Sequence, residues 1–212
     1  MTSGNLLSHI VSQKVIAMEP DKVHDIMNAP APSTTKALNR FLGQIRWHSR
    51  TLRHLADFAT PLHMVVNRLP FQWSSIEQEA YQSLKLILSH APIVQPPDWY
   101  EPFHVFVDAS DIAIVTTLMQ CTPPNWYRSV YYISRRVSAT EKNYSTMECE
   151  ALEIVYNLTK FRHYLLGHKF TFHVVVKIRH YVRIVRRNHR GSRLEGFSVH
   201  SCNTSKIYTL DI

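Results

Sequence analysis

The sequence predicts an α/β fold in which a mixed sheet with flanking helices is preceded by a small helical module. Residues 103–108 alternate apolar and polar side chains with a period of two, which is typical of a strand with at least one buried face. A helical pattern of about twenty residues follows over 146–166. Residues 169–176 then have the composition of a further strand. Strands, a helix and a strand within about seventy residues indicate a mixed sheet.

The composition is that of an ordinary globular chain. Of its 212 residues 45% are hydrophobic and 19% are charged, so disorder is not expected. No apolar run approaches a membrane span, and the first twenty residues lack the basic and apolar regions of a signal peptide. We therefore expect a soluble, intracellular protein with no membrane partner. Three cysteines without metal-ligand spacing predict free thiols: Cys121, Cys149 and Cys202.

The N-terminal part predicts helices joined by a proline-rich loop. Pro20 or Asp21 starts a short helix, whereas residues 29–34 form a loop because each proline disfavours the helical conformation in the residue before it. Ser33 or Thr34 then caps a second helical segment. The apolar residues of that segment fall roughly at helical spacing: Leu38, Phe41, Leu42, Ile45, Leu52 and Leu55.

A capping box marks the next helix. Ser74 is followed three residues later by Glu77, which predicts a helix over 75–90. The proline-rich stretch 91–97 ends that helix. Its predicted buried stripe consists of Ile76, Ala80, Leu84, Ile87 and Leu88.

The elements of the predicted sheet follow in order. The strand at 103–108 is followed by a second strand over 112–120, and residues 129–134 form a third. Gly167 ends the long helix that comes next. The inward candidates of that helix are Leu152, Val155, Leu158 and Leu165.

Positive charge is concentrated toward the C-terminus. The formal net charge is +8, and eleven Lys and Arg against three Asp and Glu from residue 151 onward account for the whole excess. Residues 177–193 alone hold seven Lys and Arg, two His and no acid. This run predicts either a phosphate-binding surface or a solvated, poorly ordered tail. The candidate nucleic-acid-binding residues are Arg135, Arg179, Arg183, Arg186, Arg187 and Arg190.

Several short motifs in a fixed order carry a family resemblance. They are DASD at 108–111, SRRVSATEKNYSTMECEALEIVYNLTKFRHYLLGHKFT at 134–171, and the upstream ADFATPL, FQW and HAPIVQPPD. Over about residues 5–180 the chain resembles the end of the reverse transcriptase and the RNase H-like domain of Pol polyproteins from gypsy-type LTR retrotransposons and related pararetroviruses. The resemblance implies a thumb-like helical region at 1–69, a truncated RNase H-like domain at 70–176 and a basic divergent tail at 177–212.

The resemblance also implies a nuclease site in which carboxylates hold two Mg²⁺ ions against the RNA strand of an RNA·DNA hybrid. Asp108 matches the first metal-binding and catalytic carboxylate, and Glu150 matches the second. Glu148 lies two residues away, about 200° round the helix, so both glutamates cannot face one ion. Alternatively, Asp108 starts a turn and either glutamate is simply favourable charge at a helix start.

The departures from the family pattern bear on activity. Val175 occupies the position of the third ligand, and the fourth ligand has no counterpart in this sequence. Two carboxylates offer −2 against the +4 of two ions, which should weaken metal occupancy. Ala113 and Val115 replace family glycines, so we expect strain if the turn needs positive φ.

Polymerase chemistry is not expected from this chain alone, because the palm carboxylates would lie upstream of Met1 and no Asp-Asp pair occurs. Trp47, Trp73 and Tyr144 are interpreted as packing residues rather than base-stacking platforms, since basic residues do not interleave with them.

We therefore predict a Pol fragment of the reverse transcriptase and RNase H type, impaired as a catalyst. Its expected partners are an RNA·DNA hybrid or other nucleic acid and other Pol segments. One alternative is a weakly active Mg²⁺-dependent ribonuclease H in which Glu148, Glu153 or Asp111 substitutes for the lost ligand. Others are a nucleic-acid-binding or scaffold module without catalysis, and a decayed gene copy that folds marginally.

Overall fold

The computed structural model describes residues 3–91, 93–110, 112–122, 126–174, 197–202 and 205–210. The chain divides into two compact units. The first comprises residues 1–96 together with 129–136, and the second comprises 97–128 together with 137–212. In the described part of the chain, no helix has the length and apolar character needed to cross a membrane.

The described helices and strands are as follows. In chain order they are β1 Gly4–Leu6, β2 His9–Val11, β3 Ile16–Met18, α1 Pro20–Asn28, α2 Thr35–Trp47, α3 Leu55–Val66, α4 Ser75–Ser89, β4 Phe103–Ala109, β5 Ala113–Thr122, β6 Trp126–Arg136, α5 Thr146–Lys160, α6 Arg162–Leu165, β7 Phe170–Val174, β8 Phe197–Cys202 and β9 Ser205–Leu210.

Local capping signals place the helices of the first unit. The Oγ1 of Thr34 accepts a hydrogen bond from the backbone N–H of Ala37 at 3.2 Å, which confirms Thr34 as the cap of α2. The capping box of Ser74 and Glu77 is present at the start of α4, as predicted. The helix predicted from Pro20 is also confirmed, as α1.

The core of the first unit differs from the predicted stripe of α4. Ile76 is 64% exposed, so its predicted burial is wrong, whereas Tyr81 is buried. The buried face of α4 includes Ala80, Leu84 and Leu88, and it packs with apolar residues of α1, α2 and α3. Helix α4 shares this core and is part of the first unit, which extends to residue 96. The domain boundary predicted from the sequence lies earlier, at 69/70.

A buried lysine ties α4 to the end of α1. The Nζ of Lys85 donates to the carbonyl oxygens of Met27 and Ala29, where helix α1 leaves its last carbonyls without helical partners. The same ammonium lies 4.5 Å from the ring centre of Tyr81. Burial lowers the pKa of Lys85. The side chain therefore acts as a long-range C-cap.

Helix α3 is capped from a distant strand. His54 precedes the helix with a left-handed φ of 58° and provides no side-chain cap. The N–H of Ala56 instead donates to the Oγ of Ser134 in β6, at 2.9 Å. Residues 129–136 are part of the first unit, so this hydrogen bond lies within that unit.

The large sheet has six strands in the order β6-β5-β4-β7-β9-β8. Strand β4 is antiparallel to β5 and parallel to β7, with Phe103 opposite Phe170 and Val107 opposite Val174. Strand β9 is antiparallel to both β7 and β8. The mixed sheet and its flanking helices confirm the predicted α/β class.

Two local predictions in the second unit need correction. Of the predicted inward residues, Leu165 is buried and Leu152 and Leu158 are half-buried, but Val155 is 45% exposed and Ile154 is buried instead. Ala113 and Val115 lie inside β5 and are buried, so no positive φ is required of them. The turn before them is stabilised by Ser110, whose backbone N–H donates a hydrogen bond to the carbonyl oxygen of Ala113 at 2.9 Å.

The end of the α5 and α6 segment agrees with the sequence. Gly167 adopts a φ of 81°, a conformation that a side chain would strain, and it follows Leu166, the C-cap of α6. The helix predicted over 146–166 is divided at Phe161 into α5 and α6.

Candidate active site

Asp108 lies near the end of β4 with an exposed side chain. It pairs with Val115 of β5, and the described β4–β7 pairing stops one residue earlier at Val107 and Val174. Because side chains alternate along a strand, Asp108 shares a sheet face with Phe106. The hydroxyl of Ser110 accepts the N–H of Ala113 at 3.1 Å, so Ser110 organises the following turn. The carboxylate of Asp108 is thus exposed to solvent near the end of β4.

Glu150 lies on the buried face of α5. Only 5% of its surface is exposed, and Glu153, one turn later, is buried to the same extent. Asn157 continues this face with a fully buried side chain, and its amide donates to the carbonyl oxygen of Glu153 at 2.8 Å. The buried face of α5 therefore includes three polar side chains. A search for apolar residues at helical spacing could not predict that they are buried.

Glu148 has a different role. Its Oε2 accepts hydrogen bonds from the backbone N–H and from the hydroxyl of Ser145, both at 2.8 Å. These hydrogen bonds, the backbone one first, lower the pKa of the Glu148 carboxyl. The side chain is exposed and closes a capping box at the start of α5. Its described contacts hold the helix end, whereas Glu150 faces inward.

The described residues do not supply the full ligand set of a two-metal centre. Within the described ranges, no three His, Cys, Asp or Glu side chains come together as metal ligands. A pair of divalent ions needs several oxygen ligands to fix its spacing and balance its charge. Two of the predicted positions, Asp111 and Val175, lie outside the described residues.

The predicted nucleic-acid contacts are only partly described. Arg135 is half-buried in β6, and its Nη1 donates to the carbonyl of Arg136 at 3.1 Å. The other five candidates lie outside the described residues: Arg179, Arg183, Arg186, Arg187 and Arg190.

A cleft in the first unit was missed at the sequence level. It has a volume of about 490 Å³ and is lined by Ser8, Lys22, Asp25, Ile26, Arg40, Gly43, Gln44, Trp47 and His48. Trp47 is 56% exposed, and its indole N–H donates to the carbonyl of Leu7 at 3.1 Å. Trp47 therefore lies outside the core, whereas its interpretation as a packing residue rather than a base-stacking platform stays a prediction. The sequence signal that could have indicated this cleft is the helical spacing of Arg40, Gln44 and Trp47, which puts the three residues on one side of α2.

Buried imidazole also borders this cleft. His48 is 4% exposed and its ring lies 5.1 Å from that of His9. Burial, and secondarily the nearby His9, lowers the pKa of His48 to about 4. At neutral pH the cations of the cleft are therefore Lys22 and Arg40, with the carboxylate of Asp25 at 3.9 Å from the Nζ of Lys22, while His48 is neutral there.

Comparison with known proteins gives one family and consistent relatives. Residues 73–172 match the family described as the RNase H-like domain found in reverse transcriptase. The chain is 35% identical over 169 residues to the retrovirus-related Pol polyprotein from transposon 297 of Drosophila melanogaster, covering 79% of the chain. It is 32% identical over 178 residues to that from transposon opus of the same organism, covering 78%. The chain spans only 16% and 18% of these two relatives.

Solved structures share the fold. The foamy viral protease-reverse transcriptase in complex with dsDNA superposes with a TM-score of 0.72 at 18% identity, covering 80% of this chain and 36% of that one. The same viral protein in complex with RNA/DNA hybrid gives a TM-score of 0.69 at 18% identity, covering 79% and 23%. At this identity the likeness concerns the fold.

Proposed function

From the premise that residues 73–172 are an RNase H-like domain of the kind found in the reverse transcriptases of retrotransposon Pol polyproteins, we propose that the chain is a nucleic-acid-binding Pol segment with impaired nuclease activity. We further assign it to the gypsy-type or pararetroviral group, with residues 1–69 as the thumb-like end of the reverse transcriptase. Its proposed partners are an RNA·DNA hybrid and other Pol segments, and its proposed location is intracellular.

The observation that carries the impaired activity is the carboxylate set. Asp108 is exposed at the end of β4 and Glu150 is buried on α5. Glu148 is engaged by Ser145 in the capping box. With valine at position 175, two carboxylates remain to face the charge of two Mg²⁺ ions. Mg²⁺ is the proposed ion for Asp108 and Glu150, with weak occupancy.

Restoring a carboxylate tests this proposal. In Val175→Asp, we expect Mg²⁺-dependent cleavage of a labelled RNA·DNA hybrid to rise by about 10-fold or more over the unsubstituted chain, since losing even a group that only hydrogen-bonds a metal ligand costs about 10- to 100-fold in metal affinity or activity. Adding Asp108→Asn to this variant should remove the gain. Glu148→Gln should leave the gain intact, because that glutamate serves the helix start. Mg²⁺-dependent cleavage by the unsubstituted chain that is lost in Asp108→Asn would instead favour the alternative of a Mg²⁺-dependent ribonuclease H.

The cleft of the first unit favours a second candidate function, a binding module without catalysis. Lys22 and Arg40 supply positive charge, and the exposed Trp47 supplies an aromatic face on which a base can stack. The solved structures of similar fold were determined with dsDNA and with RNA/DNA hybrid, which supports nucleic acid as the ligand class.

Salt dependence tests the cleft. Arg40→Ala and Lys22→Ala should each weaken hybrid binding at every sequence and reduce the slope of log affinity against log salt by roughly one. Arg53→Ala, an exposed arginine that does not line the cleft, is the matched control. Unchanged slopes in both cleft variants would exclude this surface. A triple alanine variant at Arg183, Arg186 and Arg187 separates the contribution of the basic tail.

A further inference from the structure

Two histidines of the large sheet face each other across neighbouring strands. In the parallel pairing of β4 with β7, His104 lies opposite Thr171 and Phe106 lies opposite His173. The two histidines are therefore diagonal neighbours on one face of the sheet. The Nδ1 of His104 and the Nε2 of His173 are 3.0 Å apart, and the ring centres are 5.3 Å apart. The two nitrogens are thus at hydrogen-bonding distance, with one ring donating its N–H to the lone pair of the other according to the tautomer.

Aromatic rings hold this pair in place. The ring of Phe106 stacks on His173 with centres 4.2 Å apart and an angle of 8° between the planes. Tyr127 of β6 packs edge-on against His104 at 5.1 Å and against Phe106 at 5.3 Å. Since these contacts restrict both imidazoles, little side-chain entropy is left to lose when a ligand binds.

Both imidazoles are neutral at neutral pH. Burial, and secondarily the nearby His104, lowers the pKa of His173 to about 4, and burial also lowers the pKa of His104. Each neutral ring has one nitrogen with a free lone pair, and exchange with water moves the N–H between the two ring nitrogens. Both facing nitrogens can therefore be lone-pair donors at once, with the N–H groups on the far side of each ring.

We propose that His104 and His173 form a two-histidine binding site for a divalent transition-metal ion, with Cu²⁺ the tightest ligand. Metal–imidazole bonds are about 2.0–2.1 Å long. A right angle at the ion then places the two nitrogens about 2.9 Å apart, and a tetrahedral angle places them about 3.3 Å apart. The observed 3.0 Å lies near the right angle that tetragonal Cu²⁺ prefers, and Cu²⁺ also leads the divalent affinity series.

The protein offers two ligands to this ion, and water completes its coordination. Among the described residues no set of three His, Cys, Asp or Glu side chains is placed to hold a metal. The titratable neighbours on the same face are Tyr127, Asp108 and, by strand alternation along β5, Cys121. This site uses none of the carboxylates of the nuclease proposal, although Asp108 lies on the same sheet face, and it does not rest on that proposal.

Calorimetric titration of the full chain with Cu²⁺ at pH 7 is the first test. His104→Phe and His173→Phe keep a ring in the aromatic contacts while removing the nitrogens, and each should weaken binding at the tightest site at least tenfold. His24→Phe, at an exposed histidine of α1, is the matched control and should bind as the unsubstituted chain does. Equal binding by the control and by both sheet variants would overturn the proposal.

Two further measurements keep the result decisive if a variant folds poorly. Electron paramagnetic resonance of the unsubstituted chain with one equivalent of Cu²⁺ should show two imidazole nitrogens bound, and fewer than two would overturn the assignment. Repeating the titration at pH 5.5 lowers the background, because ordinary histidines with a pKa near 6.5 are then mostly protonated, whereas burial lowers the pKa of both His104 and His173. Equal binding at pH 5.5 by the unsubstituted chain and by both sheet variants would also overturn it. A calorimetric titration with Zn²⁺, which has no redox chemistry, repeats the binding comparison without thiol oxidation.

Discussion

Helices α4 and α5 begin with the same hydrogen-bonding arrangement in different surroundings. In both, a serine caps the helix and a glutamate three residues later accepts a hydrogen bond from the serine backbone N–H, at 2.9 Å for Glu77 and 2.8 Å for Glu148. Glu77 is 4% exposed and lies 3.4 Å from the Nη1 of Arg68. Glu148 is exposed and has no ion pair among the described contacts.

The difference shows what a four-residue signal determines. It sets where the helix starts, because the orphan N–H groups of the first turn need acceptors wherever the helix lies. It does not set how much the glutamate contributes, since that depends on burial by residues elsewhere in the chain. For function, the capping role of Glu148 leaves Glu150 as the inward-facing acid of the pair.

The largest expected effect separates the two glutamates by burial. Glu77→Ala removes the acceptor for Ser74 and leaves the Arg68 guanidinium without its carboxylate, so we expect a loss of about 2 kcal/mol in the free energy of unfolding. Urea unfolding followed by circular dichroism measures it. Glu79→Ala, on an exposed position of the same helix, should change stability by less than about 0.5 kcal/mol. Equal losses in both variants would mean that burial does not distinguish these positions.

Acid stability gives the next comparison. The hydroxyl of Ser74 is the main cause that lowers the pKa of Glu77, and the backbone of Ser145 is the main cause for Glu148. Each glutamate therefore contributes stability that is complete above its ordinary pKa of 4.5 and is lost as the pH falls through the lowered value. Unfolding curves from pH 6 to pH 3 should show a shallower acid loss in Glu77→Gln and in Glu148→Gln than in the unsubstituted chain. A slope unchanged in both variants would contradict these pKa shifts.

The smallest expected effect concerns Glu148 alone. Glu148→Ala should lower the melting temperature less than Glu77→Ala does, because its carboxylate is already solvated. It should also leave hybrid affinity unchanged.

In the Val175→Asp background, Glu150→Ala should abolish the regained cleavage whereas Glu148→Ala should not. A reversed ranking in that cleavage assay would assign the ligand role to Glu148.

The sequence predicted the parts of the fold that local chemistry determines. The caps at Thr34 and Ser74, and the stop at Gly167, are set by hydrogen bonds and φ angles within a few residues, and all three are confirmed. The buried faces of α4 and α5 were predicted with errors at Ile76 and Val155, because a helix with apolar residues on two sides is oriented by its neighbours.

The candidate sites show the same limit. Asp108 and Glu150 could be proposed from short motifs, whereas the facing of His104 and His173, 69 residues apart, depends on the register of two parallel strands. Hydrophobic alternation predicts that both segments are strands but does not fix how one slides against the other.

The hydroxyl of Ser134 has a practical consequence for anyone who divides this chain. It satisfies the first turn of α3 from 78 positions downstream, so a fragment ending at residue 69 would leave the N–H of Ala56 to water and would start that helix without its acceptor. Such a piece should fray at its third helix, and adding residues 129–136 as a separate peptide should protect the Ala56 amide against hydrogen exchange. Cutting between these segments severs one folding unit, even though the cut falls in a loop.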